Sequence, residues 1–332
     1  MILAIESSCD DSAISITEID TKKVVFHERI SQEAQHAPYG GVVPELAARI
    51  HADNLPDILA QAEAYLPSIK AVAVTNAPGL VVSLLEGVVM AKAIALALNV
   101  PLIPINHIKG HIYSVFIEKE TLFPISVLMV SGGHTQVIEA KSYSDMRVVG
   151  SSLDDSAGES FDKVAKMLGL GYPGGPVIER LARQGDSERF AFTLPLRRSK
   201  EVAFSYSGLK NSVRLVIDEL GEGMSEQDRC DVAASFQKAA LGHIFDKLKR
   251  YFATIRPQKL AVVGGVSANE YFREHLVELC LKYGVETLFA DLEYCSDNAA
   301  MIGRAALDAY REERFVTIDD LDVQSRVSLE NG

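Results

Sequence analysis

Two histidines four residues apart, in the stretch INHIKGHIYSVF (Ile105–Phe116), are the pair best placed to do chemistry in this chain. Positions i and i+4 share a helix face, so His107 and His111 can offer two ring nitrogens to one ion. Gly110 weakens a helix but leaves room beside such an ion. A third ligand is needed, and Asp297 offers one at the start of the helical stretch YCSDNAAMIGRAALDAY. Plainer readings exist for all three. An Asp there is commonly a helix cap or first-turn acid, and a histidine pair at this spacing is commonly one core and one surface residue. Two nitrogens with one carboxylate suit iron(II) or zinc, and ligand type does not choose between them. A zinc protease is excluded by its own logic: H-E-x-x-H places its general base directly after the first histidine, where this chain has Ile108.

A second set of features is built on glycine. VSGGHTQ contains Gly132 and Gly133, GGVSAN contains Gly264 and Gly265, and NAPGL and YPGGP add two further turns. Backbone N–H groups in such turns can cradle an anion, most effectively before a helix N-terminus. Each alone also reads as an ordinary strand-end turn. No G-x-x-x-x-G-K-[ST] is present, and no G-x-G-x-x-G follows the first strand, so neither a Walker P-loop nor a dinucleotide fold is expected.

The elements that must carry these residues recur in order. Ile2–Ser8, Ala13–Asp20 and Lys23–Ile30 read as three short strands. A helical stretch, VVPELAARIHADNLPDILAQAEAYL, follows and is expected to break at Pro56. The strand AVAVTNAPGL and a buried helix EGVVMAKAIALALN come next. PISVLMVSGG, TQVIEAKSYS and MRVVGSS begin the same order again, with helical material and then KLAVVGGVSAN closing it. The expected architecture is α/β and two-lobed, a duplicated β-meander plus helices, with ligands in an interlobe cleft. The expected division is 1–120 for the first lobe, 121–297 for the second and 314–332 for a tail, with a helix at about 298–313 packing back on the first lobe.

The 332 residues are 48% hydrophobic, enough for two cores. The net charge is −12, which repels nucleic acid at long range, so any RNA ligand needs a local basic patch or a partner. The richest such stretch is LRRSKEVAFSYSGLKNSVR: Arg197, Arg198, Lys200, Lys210 and Arg214 oppose Glu201, with Phe204 and Tyr206 placed to stack bases. A solvated basic loop is the plainer reading. Cys9, Cys230, Cys280 and Cys295 are scattered, as in reduced, cytoplasmic proteins. The N-terminus does not read as a signal peptide. The longest apolar run, Ala93–Ile105, is too short to span a membrane.

Eight blocks in order, IESSCDDS, YGGVVPELAARIH, HIKGH, VSGGHTQ, DDSAGESFDKVAKMLGLGYPGGP, FSYSGLK, GGVSAN and CSDNAAM, together resemble the TsaD family over residues 1 to about 315. These are bacterial subunits of tRNA threonylcarbamoyladenosine synthesis, formerly described as glycoproteases. The resemblance implies an actin-, hexokinase- and Hsp70-like (ASKHA) fold. It implies transfer of a threonylcarbamoyl group from threonylcarbamoyl-adenylate to N6 of adenosine 37 in tRNAs reading codons that begin with A, with release of AMP. It implies iron(II), with zinc as the alternative, on His107, His111 and Asp297. It places the adenylate at Met129, Val130, Ser131, Gly132, Gly133, Asp162, Gly175 and Asn269. Chemically, Asp162 and Glu179 could accept from ribose hydroxyls. Asp10 and Asp11, on the first turn, are candidate bases or amine positioners, or an ordinary acidic turn. The implied partners are tRNA, a TsaB-type paralogue lacking the metal ligands and a TsaE-type ATPase. Where the family commonly has glycine, this chain has Ala77 and Ala299, each adding a methyl in a tight place. A kinase or ATPase of the same fold, or a non-catalytic scaffold subunit, are the alternatives. The first would need a nucleoside triphosphate and magnesium, and the second should lack the His/His/Asp set.

Overall fold

The computed structural model describes residues 1–329, so the last three residues of the expected tail lie outside the described residues. The chain opens with β1 (Ile2–Glu6), β2 (Asp11–Thr17) and β3 (Val24–Ser31). A short α1 (Glu33–His36), α2 (Pro44–Gln61), β4 (Ala71–Ala77), α3 (Val81–Leu98), β5 (Leu102–Asn106) and α4 (His107–Tyr113) follow. The order then restarts with β6 (Ile125–Val130), β7 (Thr135–Ala140) and β8 (Met146–Ser151). Next come α5 (Ala157–Met167), α6 (Gly174–Ala182), α7 (Ser207–Leu220), α8 (Glu226–Ile255), β9 (Lys259–Val263), α9 (Glu270–Tyr283), β10 (Glu286–Phe289) and α10 (Ala299–Arg311).

The strands form two five-stranded sheets of identical topology, β3-β2-β1-β4-β5 and β8-β7-β6-β9-β10. In the first, β1 runs antiparallel to β2 and parallel to β4, and β4 is parallel to β5. In the second, β6 and β10 both run parallel to β9. This is the duplicated α/β architecture expected from the sequence. By packing, the chain falls into two compact units. One comprises Met1–Pro124, Ala140–Arg147 and the chain from Ala290 onward; the other comprises Ile125–Glu139 and Val148–Phe289.

In the first unit, β1 is wholly buried because helices cover both its faces. Leu3, Ile5, Ile14 and Ile16 pack with Leu55 and Ile58 of α2 and with Val88 and Ala91 of α3. On the opposite face α10 lies so close that a Cβ at Gly303 would stand 2.6 Å from Thr17 Oγ1 and 3.0 Å from Ser15 Oγ. The expected break at Pro56 is absent, and α2 runs straight through it. Ala52 and Pro56 are both exposed, so the carbonyl that loses its partner lies on the solvent side. The helix expected to be buried, α3, is buried on one side only. Val82, Leu85, Val89, Ala93 and Leu96 form an exposed apolar stripe at helical spacing. Among the described residues, α3 is the one helix long and apolar enough to cross a membrane, and its other side packs on β4 and α2. In the segment after α10, Val316 bridges Leu102, Leu321 enters the core, and the Gln324 N–H donates to the Asn76 carbonyl at 3.0 Å.

The second unit is organised on α8, a 30-residue helix started by a Ser225–Asp228 capping box. Its apolar face, with Phe236, Leu241, Ile244 and Leu248, joins Phe161, Val164 and Ile178 in one core. His243 of α8 is fully buried, and its Nε2 accepts the Ser205 N–H at 3.2 Å. Burial, helped by the Lys247 charge, pushes its pKa down to about 4. An unfolded chain takes up that proton near pH 6.5, so acid favours the unfolded state. The stability tied to neutral His243 is complete above about pH 6.5 and is lost as pH falls toward 4. The expected loss is about 3 kcal/mol. Urea midpoints measured across that window should fall less steeply for His243→Asn than for the parent, and equal slopes would remove this account.

Candidate metal centre

Helix α4 begins where β5 ends. The Asn106 side chain caps it, accepting from the N–H groups of Ile108 at 2.9 Å and Lys109 at 3.3 Å. That cap fixes His107 as the first helical residue and puts His111 one turn on. Both histidines are buried, which sets aside the core-plus-surface reading. Asp297 precedes α10, and the capping role open to it is filled by its neighbour: Asn298 Oδ1 accepts the Met301 N–H at 2.9 Å. The Asp297 carboxylate turns to the histidines instead.

Its Oδ1 lies 2.9 Å from His111 Nε2 and 3.5 Å from His107 Nε2, and the two Nε2 atoms are 3.1 Å apart. The rings stand edge to face, 4.6 Å between centroids. Three donor atoms sharing one first-row ion at bonds of about 2.1 Å lie roughly 3.0–3.4 Å from one another, so the spacing fits a shared ion. The tautomer fits as well. His107 Nδ1 faces Glu6 Oε2 at 3.2 Å and Ser8 Oγ at 3.1 Å. A carboxylate there holds the proton on Nδ1 and leaves the Nε2 lone pair toward His111 and Asp297. Glu6 is itself fully buried, accepting from the Ser8 N–H and the Thr75 hydroxyl, each at 2.6 Å. Burial disfavours the charged form of both partners, and with no ion bound their mutual attraction offsets it; an ion at Nε2 takes the place of the second His107 proton. The Asp297 and Glu6 carboxylates raise His107 to about 9, and the His107 charge lowers Glu6.

Asp10, at the end of the β1–β2 turn, and Asp11, the first residue of β2, lie beside this cluster. Burial pushes Asp10 up, with a further push from Asp297. Burial and the Asp297 carboxylate push Asp11 up to about 7, against the pull of Arg29, whose guanidinium is 3.6 Å from Asp11 Oδ2. An acid near neutrality is matched to accepting a proton. Glu6, Ser8 and Thr75 were missed by sequence reasoning. The available signal was a charged residue inside the apolar strand ILAIE, since a buried charge needs a partner.

The residues expected at the adenylate all lie in the second unit. Met129 and Val130 end β6 with their side chains buried, so only their backbone can reach a ligand. Ser131, Gly132 and Gly133 form the next turn. The start of α5 presses on it, where a Cβ at Gly158 would stand 2.7 Å from the Ser131 carbonyl oxygen. Gly264, at φ +91°, passes 2.5 Å from the Val130 carbonyl by the same measure, so this crossing requires glycine. Gly132, Gly133 and Gly175 border open space. The polar side chains are already engaged: Asp162 Oδ1 accepts the Gly174 N–H at 2.7 Å, and Glu179 Oε1 accepts the Glu270 N–H at 2.9 Å. Asn269 caps α9 through Phe272 N–H and donates to Gln237. They hold the starts of α6 and α9 in place.

The basic stretch needs correction. Phe204 and Tyr206 are fully buried and cannot stack on a base. The backbone of Phe204 is stitched to Ser151 and Leu153, which turns both rings into the core against His243. Lys210 pairs with Asp155, and Arg214 pairs with Asp218. Arg197, Arg198 and Lys200 remain exposed, on a loop whose carbonyls Lys247 and Arg250 hold.

The sequence model of the family described as tRNA N6-adenosine threonylcarbamoyltransferase, TsaD, matches residues 23–304. The chain belongs to that family. A tRNA N6-adenosine threonylcarbamoyltransferase of a Nitratiruptor species is 60% identical over 321 residues, 97% of each chain. That of Helicobacter pylori is 49% identical, covering 100% of this chain and 99% of the relative. Members of the family are transferases, and so is this chain. Among solved structures, full-length HypF in its phosphate- and nucleotide-bound form aligns with a TM-score of 0.64 at 15% identity, covering 95% of this chain and 47% of that one. The activator of the 2-hydroxyisocaproyl-CoA dehydratase of Clostridium difficile, with bound ADPNP, aligns with a TM-score of 0.53 at 14% identity, covering 94% and 96%. At those identities the likeness is one of fold, the ASKHA class shared with the TsaD family.

Proposed function

We infer that the chain transfers the threonylcarbamoyl group of threonylcarbamoyl-adenylate to N6 of adenosine 37 in tRNAs reading codons that begin with A. The observation that carries this is family membership over nearly the full length, at identities up to 60%, in a chain that keeps His107, His111 and Asp297 together. In the reaction the N6 nitrogen bonds to the carbamoyl carbon, the bond from that carbon to the phosphate oxygen breaks, AMP leaves, and the amine loses a proton. Iron(II), with zinc as the alternative, supplies Lewis acidity toward a phosphate or carbonyl oxygen when bound to the three ligands. Glu6 and Ser8 keep His107 in the ligating tautomer. Asp11, with Asp10 beside it, takes the proton or orients the amine. The Ser131–Gly133 backbone serves the adenylate phosphate, while Asp162, Gly175, Glu179 and Asn269 frame its nucleoside.

The test is transfer of radiolabelled threonine from prepared threonylcarbamoyl-adenylate to tRNA. Label on adenosine 37 is expected; ATP turnover with no labelled tRNA would overturn the reading. Arg197, Arg198 and Lys200 are proposed to contact tRNA phosphates. Arg197→Glu with Arg198→Glu should weaken tRNA binding about tenfold or more and lower the slope of log affinity against log salt by about two. Unchanged binding would move the contact elsewhere.

The acidic net charge calls for help with tRNA, and a TsaB-type paralogue and a TsaE-type ATPase are the proposed partners in the cytoplasm. The apolar stripe on α3 supports an apolar helical partner, for which the paralogue is the candidate. Leu85→Glu with Val89→Glu should abolish co-elution with the paralogue while leaving the fold intact. Retained co-elution would place that partner on another face.

A further inference from the structure

The motif YGGVVPELAARIH has no task in the chemistry above, yet its last residue ends a buried hydrogen-bond chain. His51 of α2 is fully buried, and its Nε2 lies 3.0 Å from the Cys9 carbonyl. A carbonyl only accepts, so Nε2 carries the proton and Nδ1 must accept. Ser12 Oγ, at 2.8 Å, and Gln32 Nε2, at 3.2 Å, converge on that Nδ1. Ser12 Oγ also receives from Gln32 and Asn54, so its own proton points to His51. At the far end the Val43 N–H can only donate, and it donates to His36 Nδ1 at 3.3 Å. His36 Nε2 therefore carries its proton and donates to Gln32 Oε1 at 3.2 Å.

Both ends are backbone groups, so the chain has one direction, from Val43 through His36, Gln32 and His51 to Cys9. Gln32 ties the same turn a second time, since its backbone N–H donates to the Asp10 carbonyl at 3.0 Å. His36, Gln32 and His51 are fully buried. The starting loop is not: Tyr39 is 63% exposed and Gly40 sits at φ +68°. We propose that His51, Gln32 and His36 are positioning residues for the transfer. They set the Cys9–Asp11 turn and couple it to the exposed loop Ala37–Val43. The proposal rests on the reading that the Asp10–Asp11 turn serves the reaction.

The test uses the full chain with tRNA, threonylcarbamoyl-adenylate and partner subunits added. His51→Leu should lower kcat about 10–100-fold, the scale of an ångström-sized misplacement, with metal content and the KM for the adenylate unchanged. His51→Gln, which keeps an N–H near the Nε2 position, should restore most of the loss. If His51→Leu does not fold, Gln32→Leu takes its place, because it retains the backbone tie. Gly40→Val should also lower kcat, and its effect should vanish in the His51→Leu background. Full kcat in folded His51→Leu, or equal losses in the Leu and Gln variants accompanied by lost metal, would overturn the positioning role. Additive effects of Gly40→Val and His51→Leu would overturn the coupling. Asp10→Asn and Asp11→Asn separate the two readings. If both are fully active, the reading of the turn fails; if they are inactive while His51→Leu is normal, only the relay fails.

Discussion

Replacing His107 and His111 together with alanine is expected to remove bound metal and to reduce threonylcarbamoyl transfer by at least a thousandfold, with the fold retained. The fold should survive because the rings sit at the start of a short helix, whose capping by Asn106 does not involve them. Metal should not survive, because Asp297 alone offers one of three donor atoms. Protein purified without oxygen should hold about one equivalent of iron or zinc in the parent and none in the variant, by elemental analysis. Equal metal content and equal turnover in the two would reduce the cluster to a structural hydrogen-bond knot. Metal loss without loss of turnover would separate the ion from the chemistry.

Glu6→Ala is expected to damage both stability and metal affinity. It strands two buried donors at once, the Ser8 N–H and the Thr75 hydroxyl, and leaves His107 Nδ1–H with Ser8 Oγ alone. Each buried donor left without an acceptor costs about 1–3 kcal/mol, so a loss of several kcal/mol is expected even though some strain relaxes. Metal affinity should fall about 10–100-fold, as with other carboxylates that hold a ligating histidine. Glu6→Gln has one oxygen where the carboxylate has two: it can accept the Ser8 N–H, but then turns an NH2 toward Thr75 and His107 and has no charge to offer His107. It should therefore recover part of the stability and little of the affinity. Calorimetry and metal titration on the two variants check this, and equal recovery of both quantities would contradict a distinct electrostatic role.

Much of this was legible in the residues. The repeated order of strands follows from β-branched runs cut by polar or glycine turns, and it led directly to two sheets of one topology. The His107–His111 pair was legible because i, i+4 spacing is a local property of a helix, and the structure brings both rings to Asp297. What escaped reading depends on contacts distant in sequence. Pro56 reads as a helix break, yet tertiary packing of Leu55 and Ile58 carries α2 across it. Phe204 and Tyr206 look available beside arginines and lysines, but backbone pairing with Ser151 and Leu153 turns them inward. Glu6 looks like the end of a strand. Its partners Thr75 and His107 lie 69 and 101 residues away, and no periodicity reports them.

The first unit is discontinuous, and this has a consequence for how the chain is made. Its sheet and both histidines of the cluster are synthesised before the second unit. Asp297, and the helix α10 that covers β1 and β2, emerge after the whole second unit has been translated. Domains tend to fold as units during synthesis, but this one lacks a wall until α10 has emerged. A nascent chain can therefore complete its second unit before its first, and the His107–His111–Asp297 cluster forms only after the second unit has been made. A chain truncated before Asp297 would carry both histidines without the carboxylate that faces them.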